Sequence, residues 1–363
     1  MKIVNIVGAR PNFMKIVALF GAYKSYKEIE PVLVHTGQHY DEQMSKLFFR
    51  ELEIPEPDIN LEVGSSSHAV QTAEIMRRFE PVVLEQKPDA VLVVGDVNST
   101  IACGLVAVKL GVKVVHVEAG LRSFDRTMPE EINRILTDAI SDLLFCPEQS
   151  GVDNLLREGV AKEKVFLVGN VMIDTLMRHR QKAEASHILE GLRLYGGKYA
   201  VLTLHRPANV DDVEVFCRIL DAIDVIQKHM PVVFPIHPRT RKNLLKASLN
   251  ERIAGMKSLI LTDPLSYLDF LKLMSSARVV LTDSGGIQEE TIILKIPCLT
   301  LRQNTERPVT VEIRANQVVG TDTQRILDAF KKVMNSQNLN AGVPTLWDGR
   351  AAERIVKILL DKI

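Results

Sequence analysis

Neither sign of charge is in excess in this chain. Forty-five lysines and arginines balance 45 aspartates and glutamates, and no basic block or arginine-rich tail occurs. That argues against a nucleic acid or another polyanion as partner and leaves room for a small anion. Cysteine is scarce: Cys103, Cys146, Cys217 and Cys298 are widely spaced and form no Cys-x-x-Cys pair. Disulfides and a structural zinc are therefore disfavoured, and a reducing compartment is expected. Cys103, Cys146 and Cys298 lie in apolar runs and read as small core residues. No apolar run approaches the roughly 20 residues of a membrane span. The N-terminal run, Ile3 to Val7, is too short for a signal peptide and is soon followed by Arg10. A cytoplasmic protein without membrane contact is expected.

The usual nucleotide signatures are missing as well. The first turn reads Gly8-Ala-Arg10-Pro-Asn-Phe-Met-Lys15, without the Gly-x-Gly-x-x-Gly spacing of a dinucleotide site. It is not a P-loop either, because Phe13 stands where the second glycine would be. Pro11 suits the first turn of a helix. Arg10 and Lys15 offer positive charge to a phosphate near that helix end, although solvated basic residues would look the same.

What the 363 residues do contain is a long alternation of strands and helices, too much for one ordinary domain. β-Branched runs at Lys2–Val7, Pro31–Thr36, Ala90–Gly95, Lys113–Val117, Leu143–Cys146 and Val165–Val168 alternate with helical patterns. Those helices fall at Phe13–Tyr23, Ala69–Glu85, Ser99–Leu110, Glu130–Ile140 and Ser150–Glu158. The second half repeats the scheme. Its strands are Tyr199–Thr203, Val232–Ile236, Leu259–Thr262, Val279–Thr282 and Pro297–Leu301, and its helices Val213–Gln227, Pro264–Met274, Ile287–Leu294 and Thr323–Met334. The fold class is α/β, with two doubly wound, Rossmann-like domains facing a central cleft. Residues 1–170 form the first domain and 171–350 the second. The hinge is placed at Gly169 to Lys198, and a terminal helix, 351–363, packs back onto the first domain.

The densest chemistry lies in His116-Val-Glu-Ala-Gly-Leu-Arg-Ser-Phe-Asp-Arg-Thr-Met-Pro-Glu-Glu-Ile-Asn-Arg134. Glu118, Arg122, Asp125, Arg126, Glu130, Glu131 and Arg134 crowd the carboxyl end of a strand, where open α/β sheets bind ligands. A surface loop with local ion pairs is the plainer alternative. Upstream, Gly95-Asp96-Val-Asn98-Ser99-Thr100 leaves another strand. Asn98 and Ser99 read as caps of the next helix. Asp96 reads either as a cap or, near Glu118, as half of an acid/base pair. His205, in Thr203-Leu-His-Arg-Pro-Ala-Asn209, follows a strand beside an arginine. His237 is a weaker version of the same pattern. Thr282-Asp-Ser-Gly-Gly-Ile-Gln-Glu-Glu290 follows a strand and opens a helix. Ser284, Gly285 and Gly286 let backbone amides approach a diphosphate. Glu290 is placed to accept from ribose hydroxyls, and Arg307 adds charge.

Taken together in chain order, these motifs resemble the non-hydrolysing UDP-N-acetylglucosamine 2-epimerases. Gly-Ala-Arg-Pro at Gly8, Gly-Asp-Val-Asn-Ser-Thr at Gly95, His-Val-Glu-Ala-Gly-Leu-Arg at His116 and Met-Pro-Glu-Glu-Ile-Asn-Arg at Met128 carry the likeness. Gly-Asn at Gly169, His-Arg at His205, Asp-Ser-Gly-Gly-Ile-Gln-Glu-Glu at Asp283 and Asn-Thr-Glu-Arg-Pro at Asn304 extend it over nearly the whole chain. The resemblance implies a GT-B-type architecture, also used by many nucleotide-sugar glycosyltransferases, and a homodimer. It implies an isomerase without metal or cofactor that feeds cell-surface polysaccharide synthesis. The reaction would be anti elimination of UDP from UDP-GlcNAc to 2-acetamidoglucal, then re-addition to give UDP-ManNAc. By motif match, Asp96, Glu118 and Glu131 would be the acid/base and ring-stabilising groups, and His205 would serve the departing diphosphate. Arg10, Lys15, Ser284, Gly285, Gly286, Glu290 and Arg307 would bind UDP, with Phe270 against uracil.

Three departures stand out. His205-Arg-Pro-Ala-Asn209 replaces a His-Arg-Arg-Glu-Asn pattern, Leu265 stands where glutamine is common, and Gln38-His-Tyr-Asp41 differs from the Gln-His-Arg of relatives activated by a second UDP-GlcNAc. Alternatives are a 2-epimerase of a 3-acetamido or uronic acid sugar, a hydrolysing 2-epimerase, a glycosyltransferase and a non-catalytic nucleotide-sugar sensor.

Overall fold

The computed structural model describes residues 1–37, 51–246, 249–336 and 342–363, with the Arg10 side chain left out. The Gln38–Asp41 departure therefore lies outside the described residues. Two compact units result: Met1–Arg178 with Thr345–Ile363, and His179–Pro344.

The first unit holds seven strands, β1 (Lys2–Val7), β2 (Glu30–His35), β3 (Ile59–Asn60), β4 (Ala90–Val94), β5 (Lys113–Val117), β6 (Leu143–Cys146) and β7 (Val165–Leu167). Their order is β3-β2-β1-β4-β5-β6-β7, and every pairing is parallel. Helices α1 (Arg10–Tyr23), α2 (His68–Gln86), α3 (Asn98–Lys109), α4 (Pro129–Ile140), α5 (Gln149–Arg157) and α6 (Val171–Ala183) connect or follow them. Because helices cover parallel sheets on both faces, central strands read as near-continuous apolar runs. All five residues of β4, Ala-Val-Leu-Val-Val, are buried. Val4, Ile75, Phe79, Val93 and Val106 share one core cluster.

The second unit repeats the design with six parallel strands, β8 (Ala200–Thr203), β9 (Val232–Pro235), β10 (Leu259–Thr262), β11 (Val279–Thr282), β12 (Cys298–Thr300) and β13 (Asn316–Val318). They lie in the order β10-β9-β8-β11-β12-β13. Its longer helices are α7 (Val213–Ile226), α8 (Tyr267–Ser275), α9 (Gly285–Leu294) and α10 (Thr323–Asn335). Leu202, Ile223, Phe234, Leu281 and Phe330 fill its core. A final helix, α11 (Ala351–Lys362), belongs to the first unit and packs on α1. The Asp174 carboxylate accepts from the first amides of α11, Ala351 and Ala352, and Trp347 Nε1 donates to the Pro147 carbonyl.

Both sheets are doubly wound, as expected, and the expected elements are in place to within a few residues. Two short strands, β3 and β13, escaped the hydrophobic pattern. Helix α6 did too: it fills part of the stretch read as a hinge. The three apolar-run cysteines are buried. One expectation fails. Asn98 and Ser99 do not cap α3, whose N-cap is Val97 with no side-chain cap hydrogen bond. Asn98 Nδ2 instead donates to Gln71, and Ser99 Oγ meets Thr36 Oγ1 at 2.8 Å. Among the described residues no helix is long and apolar enough to cross a membrane.

Candidate active site

In each sheet the strand order reverses once, at β1/β4 and at β8/β11. Ligands of open α/β sheets bind beyond the carboxyl ends at such points. The sequence-predicted residues gather at both.

In the first unit, Asn12 ties the two strand ends together. Its Oδ1 accepts from Gly8 and Ala9 amides, and its Nδ2 donates to the Val94 carbonyl at 2.9 Å. Pro11 occupies the first turn of α1, so Arg10 opens that helix and Lys15 follows a turn later. Lys15 Nζ pairs with the Glu118 carboxylate, both largely buried. A side chain at Gly95 would place its Cβ 2.8 Å from Lys15 Nζ and 3.4 Å from Glu118 Oε2. Gly95 is thus the close-approach point of this site, and its φ of +69° also demands glycine. Glu118 itself sits at φ +75°, a conformation costly for a residue with a Cβ.

Arg134 joins the other two acids. Its guanidinium pairs with Asp96 on one side and Glu131 on the other. Glu131 is 1% exposed and also accepts from the Ser123 and Phe124 amides at 2.9 and 2.8 Å. These are not the charges of a solvated face. Removing one partner of a buried pair costs roughly 3–5 kcal/mol, so this loop is held in one arrangement.

The second unit is built differently. His205 is exposed, and its Nδ1 lies 2.8 Å from the buried Asp283 carboxylate. Asp283 also accepts from the His205 and Arg206 amides and from Asn209 Nδ2. Burial pushes the Asp283 carboxyl up, but the His205 ring and these amides outweigh it and hold it below its usual value. Such a carboxylate fixes the ring orientation and supports positive charge on it. Ser284 is the N-cap of α9 and uses no side-chain cap bond. Gly285 and Gly286 form its first turn, where amides and helix dipole favour an anion.

Cations surround that turn. Glu306 pairs with Arg206 at 3.3 Å and Arg302 at 2.7 Å, and Arg307 pairs with Glu289. Burial raises the Glu306 carboxyl, but Arg307, Arg302 and Arg206 pull it down to about 2. A Cβ on Gly285 would lie 2.7 Å from Glu306 Oε1. Glu290, fully buried, accepts from the Tyr267 hydroxyl at 3.3 Å. Burial lifts its carboxyl to about 7, against the pull of that hydrogen bond. Phe270 is half-buried on α8, one turn after Leu265 and the Ser266 N-cap.

A sequence profile described as UDP-N-acetylglucosamine 2-epimerase matches residues 22–360. The chain belongs to the UDP-N-acetylglucosamine 2-epimerase family. It is 44% identical over 367 residues to the UDP-N-acetylglucosamine 2-epimerase of Methanocaldococcus jannaschii, covering 99% of each chain. It is 40% identical over 362 residues to the UDP-2,3-diacetamido-2,3-dideoxy-D-glucuronate 2-epimerase of Pseudomonas aeruginosa, again covering 99% of each. The crystal structure of the M. jannaschii enzyme in complex with UDP-GlcNAc and UDP superposes with a TM-score of 0.93 at 43% identity, covering 99% of this chain and all of that one. The Neisseria meningitidis enzyme bound to UDP-GlcNAc gives 0.91 at 30% identity, with full coverage of both.

In this epimerase, two groups of sequence-predicted residues emerge. Lys15, Asp96, Glu118 and Glu131 meet in the first unit, with Arg10 opening α1 beside them. His205, Ser284, Gly285, Gly286, Glu290 and Arg307 meet in the second, with Phe270 on the helix that supplies Tyr267. Sequence reasoning missed Arg134, Asp283 and Glu306 as partners of the candidates. Asp283 left a signal, an acid directly at a strand exit. His237, the weaker histidine, accepts at Nδ1 from the Arg239 amide at 3.2 Å.

Proposed function

We propose that this epimerase interconverts UDP-GlcNAc and UDP-ManNAc without hydrolysis. A base removes the C2 proton, the C1–O bond breaks with its electron pair leaving on UDP, and a C1=C2 bond forms. The glycal then takes a proton on the opposite face of C2 as the UDP oxygen returns to C1. Because the C2 proton is weakly acidic, C–O cleavage leads and positive charge builds on the ring. Three carboxylates, Asp96, Glu118 and Glu131, suit that charge and the proton traffic on both faces. That cluster, with Glu118 held by Lys15 and Asp96 and Glu131 sharing Arg134, is the observation that carries the reading. In the second unit, His205 oriented by Asp283 protonates or hydrogen-bonds the departing diphosphate. The Ser284 hydroxyl and the amides of Gly285 and Gly286 receive its charge, with Arg307, Arg10 and Lys15 contributing. Phe270 stacks on uracil, and Glu290 accepts from the ribose.

The test is NMR of UDP-GlcNAc with the enzyme in deuterium oxide. Deuterium at C2 of UDP-linked GlcNAc and ManNAc is the expected result. Free ManNAc would make the enzyme hydrolysing, and transfer only in the presence of an acceptor would make it a glycosyltransferase. The similarity to the diacetamido-glucuronate epimerase favours a second reading, a 2-epimerase of a modified UDP-sugar. Turnover of that sugar with none of UDP-GlcNAc would establish it.

A further inference from the structure

Helix α4 does more than carry Glu131. Two of its side chains reach the turn that presents Asp96 directly, and a third reaches it through His116. Arg134 pairs with the Asp96 carboxylate. Asn133 Nδ2 donates to the Asp96 carbonyl at 2.9 Å. Asp138 Oδ1 lies 2.6 Å from Nδ1 of His116 in β5, and Nε2 of that ring lies 2.8 Å from the Gly95 carbonyl. A carbonyl oxygen only accepts, so Nε2 is the donor there. The peptide before Asp96 is therefore held by His116, and the peptide after it by Asn133.

We propose that His116 and Asn133 are positioning residues that clamp both peptide groups flanking Asp96 and so fix the direction of its carboxylate. This goes beyond the reading above and rests on it, since it presumes that Asp96 handles protons at the sugar. Two observations support a role other than stability. First, His116 is fully buried among the apolar residues Val114, Val115 and Val117 of β5. An apolar side chain there would leave the Asp138 carboxylate and the Gly95 carbonyl without this partner, so the position serves these two hydrogen bonds rather than the packing of the strand. Second, the network is anchored on the side away from Asp96. Asp138 Oδ2 accepts from the Gly120 amide at 3.1 Å and pairs with Arg122 at 2.7 Å, and Arg122 grips Glu158 with two nitrogens. Gly120 lies two residues beyond Glu118. One relay thus ties the turns that present both acids.

The test compares two substitutions at one position. His116→Gln carries an amide nitrogen that reaches as Nε2 does and keeps the donor to Gly95. His116→Asn places its amide as Nδ1 does, keeps Asp138 and leaves the Gly95 carbonyl unserved. Each full-length variant is given UDP-GlcNAc in deuterium oxide, and the ratio of C2 exchange to epimerisation is measured. That ratio does not depend on how much protein is folded. His116→Asn should lose turnover on the order of 10²-fold, the cost of a misplacement near 1 Å, and shift the ratio about threefold or more. His116→Gln should stay within about tenfold of the parent with its ratio intact, and UDP affinity should hold in both. Asn133→Ala, at a half-buried position, should also shift the ratio, and it decides the matter if His116→Asn does not fold. Loss of turnover in step with melting temperature, at an unchanged ratio in these variants, overturns the proposal. Absence of both exchange and epimerisation in the unmodified enzyme instead overturns the reading on which it rests.

Discussion

At the ends of β4 and β5, side chains answer side chains: Lys15 meets Glu118, and Arg134 spans Asp96 and Glu131. At the ends of β8 and β11 they answer the backbone. Asp283 gathers the amides of His205 and Arg206, and the glycines of α9 place theirs at a helix start. The strand order around the two switch points is the same. Topology therefore supplies a location, and the residues beyond it supply the chemistry. In the proposed reaction, paired charges keep acids ready to exchange protons, while amides at a helix start hold a phosphate without taking part in proton transfer.

The comparison predicts separable losses. Glu118→Gln and Glu131→Gln should each lower turnover on the order of 10²-fold or more, with UDP affinity measured by calorimetry nearly unchanged. Near-normal rates for both would dissolve the contrast. Arg10→Ala should do the reverse, weakening UDP binding by roughly tenfold or more, the usual loss of a charge-assisted contact. An unaltered dissociation constant would remove Arg10 from the phosphate site. Gly285→Ala should weaken UDP binding several-fold, because its methyl group meets Glu306 where a phosphate must come close. Full affinity in that variant would place the diphosphate elsewhere.

The smallest effect is thermal and depends on pH. The Glu290 carboxyl is raised from 4.5 to about 7 in the fold, so the native state holds this proton more tightly than the unfolded chain. Its contribution to stability is therefore greatest at low pH and is lost as the pH climbs from about 4.5 through 7. In melts without ligand, Glu290→Gln should gain on the parent by a few degrees between about pH 5 and pH 8. A constant difference would mean that Glu290 ionises as an ordinary surface acid does.

Much of this was legible in the sequence. Fully apolar runs such as Ala90–Val94 announce buried parallel strands, and motifs at strand exits announce the switch points. Periodicity says nothing of a two-residue strand such as Ile59–Asn60, or of Asn-Gln-Val at Asn316–Val318, whose edge position asks for little hydrophobicity. Helix α6 was obscured by its polar residues. The candidate acids were readable because strand exits are few, but their partners were not. Arg134 reaches Asp96 across 38 positions and His205 reaches Asp283 across 78, and no local spacing encodes those meetings. Asn98 shows the opposite error: its type suggested a cap, and tertiary partners claimed the side chain first.

The first unit is discontinuous, and this has a consequence for how the protein is made. Its sheet leaves the ribosome early, yet the segment from Thr345 onward that completes it emerges only after the whole second unit. Until then α1 lacks its α11 neighbour and the Asp174 carboxylate has no helix start to serve. The single tryptophan of the sequence, Trp347, lies in that late segment and is buried against Pro147. Its fluorescence therefore reports one event during refolding, the docking of the chain's last helix onto its first-made domain.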